Sequence, residues 1–189
     1  MADQLPQFLI KSFTIANQPQ NAIDKSAFYG PYMRLLYYLF GGIDGDFEVQ
    51  PEVSLPYKAR ETTDTVATLT VEYRRHPVMF VQVKPSETVI NDLERKEADD
   101  QLRVQFLDVM DRAVTPRIPG VIAFGTRLAF YEYVPATRKL TPPWIPEDPT
   151  YLNDVAPIER WNYDVLEAPG FARLGHETQS VIEMCQALN

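Results

Sequence analysis

The chain reads as an α/β protein, with a mixed central β-sheet of about five strands in the order α-β-β-β-α-β-β and helices on its faces. Two changes of hydrophobic period and one cluster of prolines predict this. Apolar residues recur at helical spacing up to Gly41-Gly42, alternate with a period of two between Asp46 and Pro85, and return to helical spacing from about Asp92 to Val114. Two more apolar strands follow, after which Pro142, Pro143, Pro146, Pro149, Pro157 and Pro169 forbid long regular elements. Strands that cluster and helices that flank them bury their apolar faces best as a sheet covered by helices.

The first twenty residues, with Gln and Pro scattered through "IANQPQN", read as an extended lead-in that docks Phe8, Leu9, Ile10 and Phe13 on the core. Asp24 suits an N-cap, and Phe28, Tyr32, Leu35, Leu36, Leu39 and Phe40 follow at helical spacing. Gly41-Gly42 ends this helix, and Gly30-Pro31 is expected to kink or restart it. "GGIDGD" lacks the helix-opening context of a phosphate loop and reads as a turn. "FEVQPEVSL" alternates, "TVATLTVEY" is rich in β-branched residues, and "VMFVQVK" follows a polar "RRHP" connection, which describes a three-stranded meander. In the second helix Leu102, Phe106, Val109 or Met110, and Ala113 form the apolar stripe. "VIAF" and "LAFYEY" are joined by Gly125-Thr126, which suits a type II′ turn because glycine tolerates positive φ at the first central position. A Pro-rich wrap spans 135–170, pinned by Trp144 and Trp161, and a closing helix over 171–188 turns Leu174, Val181, Ile182 and Cys185 inward.

At 189 residues and 45% apolar, the chain has the size of a single domain spanning 1–189. Its net charge of −8 repels nucleic-acid phosphates over most of the surface, so any such contact requires a local basic patch. Arg74, Arg75, Arg103, Arg112, Arg117 and Arg127 are dispersed in sequence, and most of them read as ordinary surface charges. A lone Cys185 excludes an intramolecular disulfide and a cysteine-based zinc site. His76 and His176 are too few for a multi-histidine metal site and read as a turn residue and a helix-surface residue. The start of the chain lacks a basic region followed by a long apolar run. These features predict an intracellular protein, cytoplasmic or nuclear, without a membrane span.

The stretch "HPVMFVQVKP" raises the chemical question, because the most hydrophobic strand ends with Gln82 and Lys84. Alternation puts Phe80, Gln82 and Lys84 on one face and Met79, Val81 and Val83 on the other, and both faces begin apolar, as in a central strand. A lysine there must reach water or a partner, since burying an unpaired ammonium is very costly. If the chain turns around Arg74, Arg75 and His76, Thr68 opposes Gln82 and Val66 opposes Lys84. Asp64 then lies one pair further along, on the same face, whereas a one-residue slip would reverse it. A carboxylate, a second oxygen ligand and a lysine at one sheet end can hold Mg²⁺ and orient a water on a phosphate.

Asp64 in "TTDTVATLTV", then "FVQVK", then a helix containing Gln101, resembles the PD-(D/E)xK, or restriction-endonuclease-like, nuclease superfamily. The resemblance covers the middle of the chain, from the first helix to the "VIAFGTRLAFYEY" hairpin, and extends to divergent fungal members of that superfamily. It implies a metal-binding Asp64, Gln82 where the family has Glu or Asp, a motif lysine at Lys84, and Gln101 in support. An amide keeps one carbonyl oxygen and loses a charge, so Mg²⁺ (or Mn²⁺) should bind more weakly unless another acid compensates. Glu52 in "QPEVSLP" is the best candidate for that role and Glu48 a weaker one, giving Asp64, Glu52 and Gln82 as metal ligands.

Each residue alone has an ordinary explanation. Lys84 reads as a strand-end lysine snorkelling to water, Gln82 as an amide satisfying backbone groups, and Asp64 as a turn acid. The stripe Glu97-Gln101-Gln105 reads as a solvated helix face that can also approach the site. Two expectations follow from their joint placement. One is a Mg²⁺-dependent phosphodiester hydrolase acting on DNA or RNA. The other is a catalytically degenerate nuclease-fold module for binding or assembly, self-associating as a homodimer through the aromatic-rich wrap.

Overall fold

Helix α1 (Gln7–Ala16) stands where an extended lead-in was expected, and it buries Leu9, Phe13 and Ala16. The spacing of those three residues is helical, and the scattered Gln and Pro begin only after it. The structure is a computed structural model that describes residues 4–54 and 66–188. Asp24 accepts from the Ser26 amide at 2.8 Å and so caps a 3₁₀ turn over Lys25–Phe28. The Ser26 hydroxyl and amide hold the Asp24 carboxyl below its usual range. Helix α2 (Tyr29–Leu39) continues directly, with Gly30 and Pro31 in its first turn, where a missing N–H leaves no helical bond unmade. The expected restart is therefore the passage from 3₁₀ to α geometry.

Among the described residues the sheet has seven strands instead of about five: β1 (Phe47–Ser54), β2 (Val66–Tyr73), β3 (His76–Lys84), β4 (Ile118–Phe124), β5 (Arg127–Val134), β6 (Lys139–Thr141) and β7 (Tyr163–Asp164). Strands β1 to β6 lie in chain order, and β7 also pairs with β5. All pairings are antiparallel except β3–β4, which is parallel and is joined by α3 (Asp92–Val109). The two short strands fall in or beside the Pro-rich wrap, whose prolines limit their length without preventing edge pairing. Helix α4 (Ala168–Gln186) closes the described chain, with Leu174, Val181 and Cys185 buried. Burial pushes the Cys185 thiol from 9.0 up to about 11. No described helix is long and apolar enough to cross a membrane.

Alternation along β3 divides the core. Met79, Val81 and Val83 face α1, α2 and α4, whereas Phe80 packs with Leu102 and Phe106 of α3 and with Ile122 and Phe124 of β4. Trp161 is fully buried in this second layer, edge-on to Phe124, while Trp144, expected to pin the wrap as well, is 59% exposed. Gly120 seats Phe106: a Cβ there would lie 2.6 Å from its ring. This close approach draws α3 down over β3 and β4, which sets the height of every polar residue on its inner side. Gly125 turns the β4–β5 hairpin at φ +59°, and a side chain there would also meet Ser86. With no positive φ at Thr126, the geometry is that of the expected type II′ turn.

Candidate functional site at the end of the central strand

The β2–β3 register matches the sequence expectation, with Thr68 opposite Gln82 and Ala67 opposite Val83. The hairpin turns at Arg74 and Arg75, both at positive φ (50° and 65°), a conformation unusual for non-glycine residues that pairs Tyr73 with His76; a bulge between Val71 and Glu72 then shifts the pairing by one residue and brings Thr68 opposite Gln82. One row of the sheet runs Glu52, Thr68, Gln82, Ile122, Ala129. Glu52 thus lies in the same row as Gln82, two strands away. Asp64 lies outside the described residues.

Gln82 is 0% exposed and Lys84 only 5%, so Lys84 is not a strand-end lysine in water, and the Gln82 amide bonds a side chain where backbone groups were expected. Both turn to α3, where Gln101 Oε1 accepts from Gln82 Nε2 and from Lys84 Nζ, each at 2.8 Å. Gln101 Nε2 in turn donates to Glu97 Oε1 at 2.9 Å. One turn further along α3, Gln105 Oε1 accepts from the Thr68 hydroxyl at 3.3 Å. The stripe Glu97-Gln101-Gln105 is therefore half-buried against the sheet and is not a solvated helix face. Its four-residue spacing was the available signal, but spacing alone does not say which way a helix is rolled.

Charge fixes the amide orientations in this chain of bonds. The Glu97 carboxylate can only accept, so it draws the Gln101 NH₂ toward itself, while the Lys84 amine donates and draws the Gln101 oxygen. With that oxygen fixed, Gln82 must present its NH₂ to it. The Gln82 carbonyl oxygen is left pointing away, buried and without a hydrogen-bond partner among the described residues. An orphaned buried polar atom costs about 1–3 kcal/mol; Gln82 Oε1 and Trp161 Nε1 are both in this state among the described residues, and a water would satisfy either whereas a cation would suit only the Gln82 oxygen. An amide oxygen is a hard, neutral ligand of the kind Mg²⁺ accepts. It sits near the carboxyl ends of the two parallel strands, where α/β sheets commonly bind ligands. Among the described residues no three or more His, Cys, Asp or Glu side chains gather so as to hold a metal ion.

A second polar cluster hangs on the same helix, and the sequence reading missed it. Asp99 is buried and accepts from Arg103 Nε at 2.6 Å, Arg160 at 2.7 Å and the Tyr131 hydroxyl at 2.7 Å. Burial and the facing Asp99 carboxylate push the Tyr131 hydroxyl far above its ordinary value of 10.0. Arg103 also donates to the Pro142 carbonyl, which ties the wrap to α3. Arg95, buried on the same helix, bonds the Ala156 and Val89 carbonyls and pairs with Asp154 at 2.5 Å. Arg117 bridges Glu132 and the buried Glu177, and Arg127 donates to the Trp161 carbonyl. Several of the dispersed arginines are thus internal clamps and not ordinary surface charges. His76 Nδ1 lies 3.2 Å from the Arg112 carbonyl, and His176 is exposed on α4.

No family model, curated protein or solved structure matches this chain.

Proposed function

We propose that the protein is a PD-(D/E)xK-type, restriction-endonuclease-like nuclease that binds Mg²⁺ or Mn²⁺ at the end of β3 and hydrolyses phosphodiester bonds of DNA or RNA. The observation that carries this reading is the fully buried Gln82 carbonyl, turned away from Gln101 because the Glu97–Gln101–Lys84 chain takes the amide nitrogen, and left without a described partner. The order of elements supports it too, since a meander leads through α3 to a parallel fourth strand. In the proposed site Asp64 and Glu52 supply the negative charge that a divalent ion needs, and Gln82 adds a neutral oxygen. A divalent ion held by these residues would polarise phosphoryl oxygens and lower the pKa of a bound water. Lys84 would orient that water, and Gln101 holds Lys84 and Gln82 on one acceptor.

The second reading is a degenerate nuclease-fold module that binds or assembles without cleaving. The tie of both Gln82 and Lys84 to one neutral amide favours it, as does the net charge of −8. Thermal melting with and without Mg²⁺ or Mn²⁺, combined with cleavage assays on labelled DNA and RNA oligonucleotides, separates the two. For the nuclease, saturating metal at a hundred times its Kd stabilises by about 2.7 kcal/mol. In a chain of this size that raises Tm by roughly 5–10 °C. Asp64→Ala abolishes both the shift and cleavage, and Gln82→Glu enlarges the shift. A metal-dependent shift without cleavage of either nucleic acid selects the binding module. No shift, with Asp64→Ala indistinguishable from the parent, removes the metal site altogether.

A further inference from the structure

Two exposed apolar features lie away from the site, and they complement each other. The first is a groove of about 520 Å³ between α1 and α2, lined by Phe8, Ile15, Ala27 and Pro31. Ile15 is 63% exposed on its rim. Lys11 and Arg34 are the charged residues among those described along it, both cationic, and Arg34 stacks over the Phe8 ring at 5.2 Å. The second feature is a knob in the Pro-rich wrap, where Tyr151 is 74% and Leu152 100% exposed. It is flanked by Glu147, Asp148 and Asp154.

The knob is built and not merely left over. Asp148 Oδ1 accepts from the Thr150 amide at 2.7 Å and the Tyr151 amide at 3.0 Å. Asn153 closes the loop by accepting from the Asp148 amide and donating to the Pro146 carbonyl, both at 2.9 Å. Arg95–Asp154 and Lys96–Glu147 fasten its two ends to α3. A loop held by this many bonds so that it presents a leucine to water has already met the ordering cost of binding. Asp154 and Glu147 are already paired with Arg95 and Lys96, but with Asp92 and Asp148 beside them the surround of the Tyr151-Leu152 pair stays net negative, whereas the groove's charged lining is cationic, and this difference would steer and align the encounter.

We infer that copies of this chain associate head to tail, with the Tyr151-Leu152 knob of one copy seated in the α1/α2 groove of the next and its acids facing Lys11 and Arg34. The groove belongs to the α1/α2 layer on one face of the sheet, and the knob is fastened to α3 on the other. Surfaces on opposite faces cannot both meet the same partner across a two-fold axis. The contact is therefore heterologous and generates rings or open chains instead of a closed dimer.

Sedimentation over a wide concentration range tests this. The wild-type protein is expected to form species larger than dimers that grow with concentration and dissociate as salt screens the charges. Leu152→Asp and Ile15→Asp each leave a monomer with unchanged circular dichroism, since both residues are exposed. An equimolar mixture of the two variants gives a dimer and nothing larger, because one supplies an intact groove and the other an intact knob. If Ile15→Asp lowers Tm, Lys11→Glu takes its place and weakens association at least tenfold. A wild-type monomer at every concentration overturns the inference and leaves the groove to a different partner. Association that survives either substitution, or a mixture that stays monomeric, overturns it as well.

Discussion

The two polar clusters on α3 make opposite use of burial. Asp99 and Gln101 are two residues apart, so they project from the helix roughly 200° apart. Asp99 meets two guanidinium groups and a tyrosine hydroxyl, and its carboxylate is saturated. Gln101 meets Gln82, Lys84 and Glu97, and the chain ends in an acceptor with no described partner. A saturated network has nothing left to offer a ligand; it joins the wrap, α3 and β5 into one body. An incomplete network in an otherwise well-packed layer stores a cost that only a ligand, ion or water can relieve. The difference, more than burial or charge alone, separates a staple from a candidate site.

The comparison can be broken most severely at Asp99. Asp99→Ala strands Arg103 and Arg160 beside each other with no carboxylate, and denaturant unfolding should register a loss of about 3–5 kcal/mol. A loss below about 1 kcal/mol would show that water replaces the carboxylate and that the cluster is not a staple. Tyr131→Phe removes a single bond to the same carboxylate, so the expected loss is about 1.5–3 kcal/mol. The tyrosine also makes the staple sensitive to alkali. Folded Tyr131 keeps its proton to higher pH than an unfolded tyrosine near 10.0, because burial and then Asp99 oppose the phenolate. Its contribution is therefore complete below pH 10 and is lost as pH rises past that point. Stability measured against pH should fall more steeply above 10 in the wild type than in Tyr131→Phe; parallel curves would refute the assignment.

The smallest and most diagnostic effect lies at Gln82. Gln82→Met keeps the side chain's length and removes the orphaned oxygen, so unfolding should show stabilisation of about 0–2 kcal/mol. The same change should abolish metal-dependent stabilisation. A protein that gains stability while losing ligand response identifies a functional compromise. If Gln82→Met is strongly destabilising instead, the amide is structural and the two clusters on α3 differ only in degree.

Much of this architecture could be read from the chain. The period of two between Asp46 and Pro85 marks the meander, whereas the register that puts Thr68 opposite Gln82 needs both the Arg74-Arg75 turn and the one-residue bulge between Val71 and Glu72. Local rules sufficed for the strands and the turn, which are decided by residues close in sequence, while the bulge that completes the register carries no such local signal. The short strands β6 and β7 escaped notice because their pairing with β5 is long-range and they are too brief to show a period. Helix α1 was hidden by the polar and proline residues that follow it, although its own buried positions keep helical spacing.

The sequence by itself determined which residues share a face of β3, since adjacent side chains on a strand must point in opposite directions. It also determined the turns, since Gly41-Gly42 and Gly125 take positive φ that few other residues tolerate. Only the tertiary structure decided how α3 is rolled against the sheet. That roll is set by Phe106 seated on Gly120, a contact between elements that no local pattern encodes. It turns Asp99 toward Tyr131 and Arg160, and Gln101 toward Gln82 and Lys84, and so separates the closed cluster from the open one.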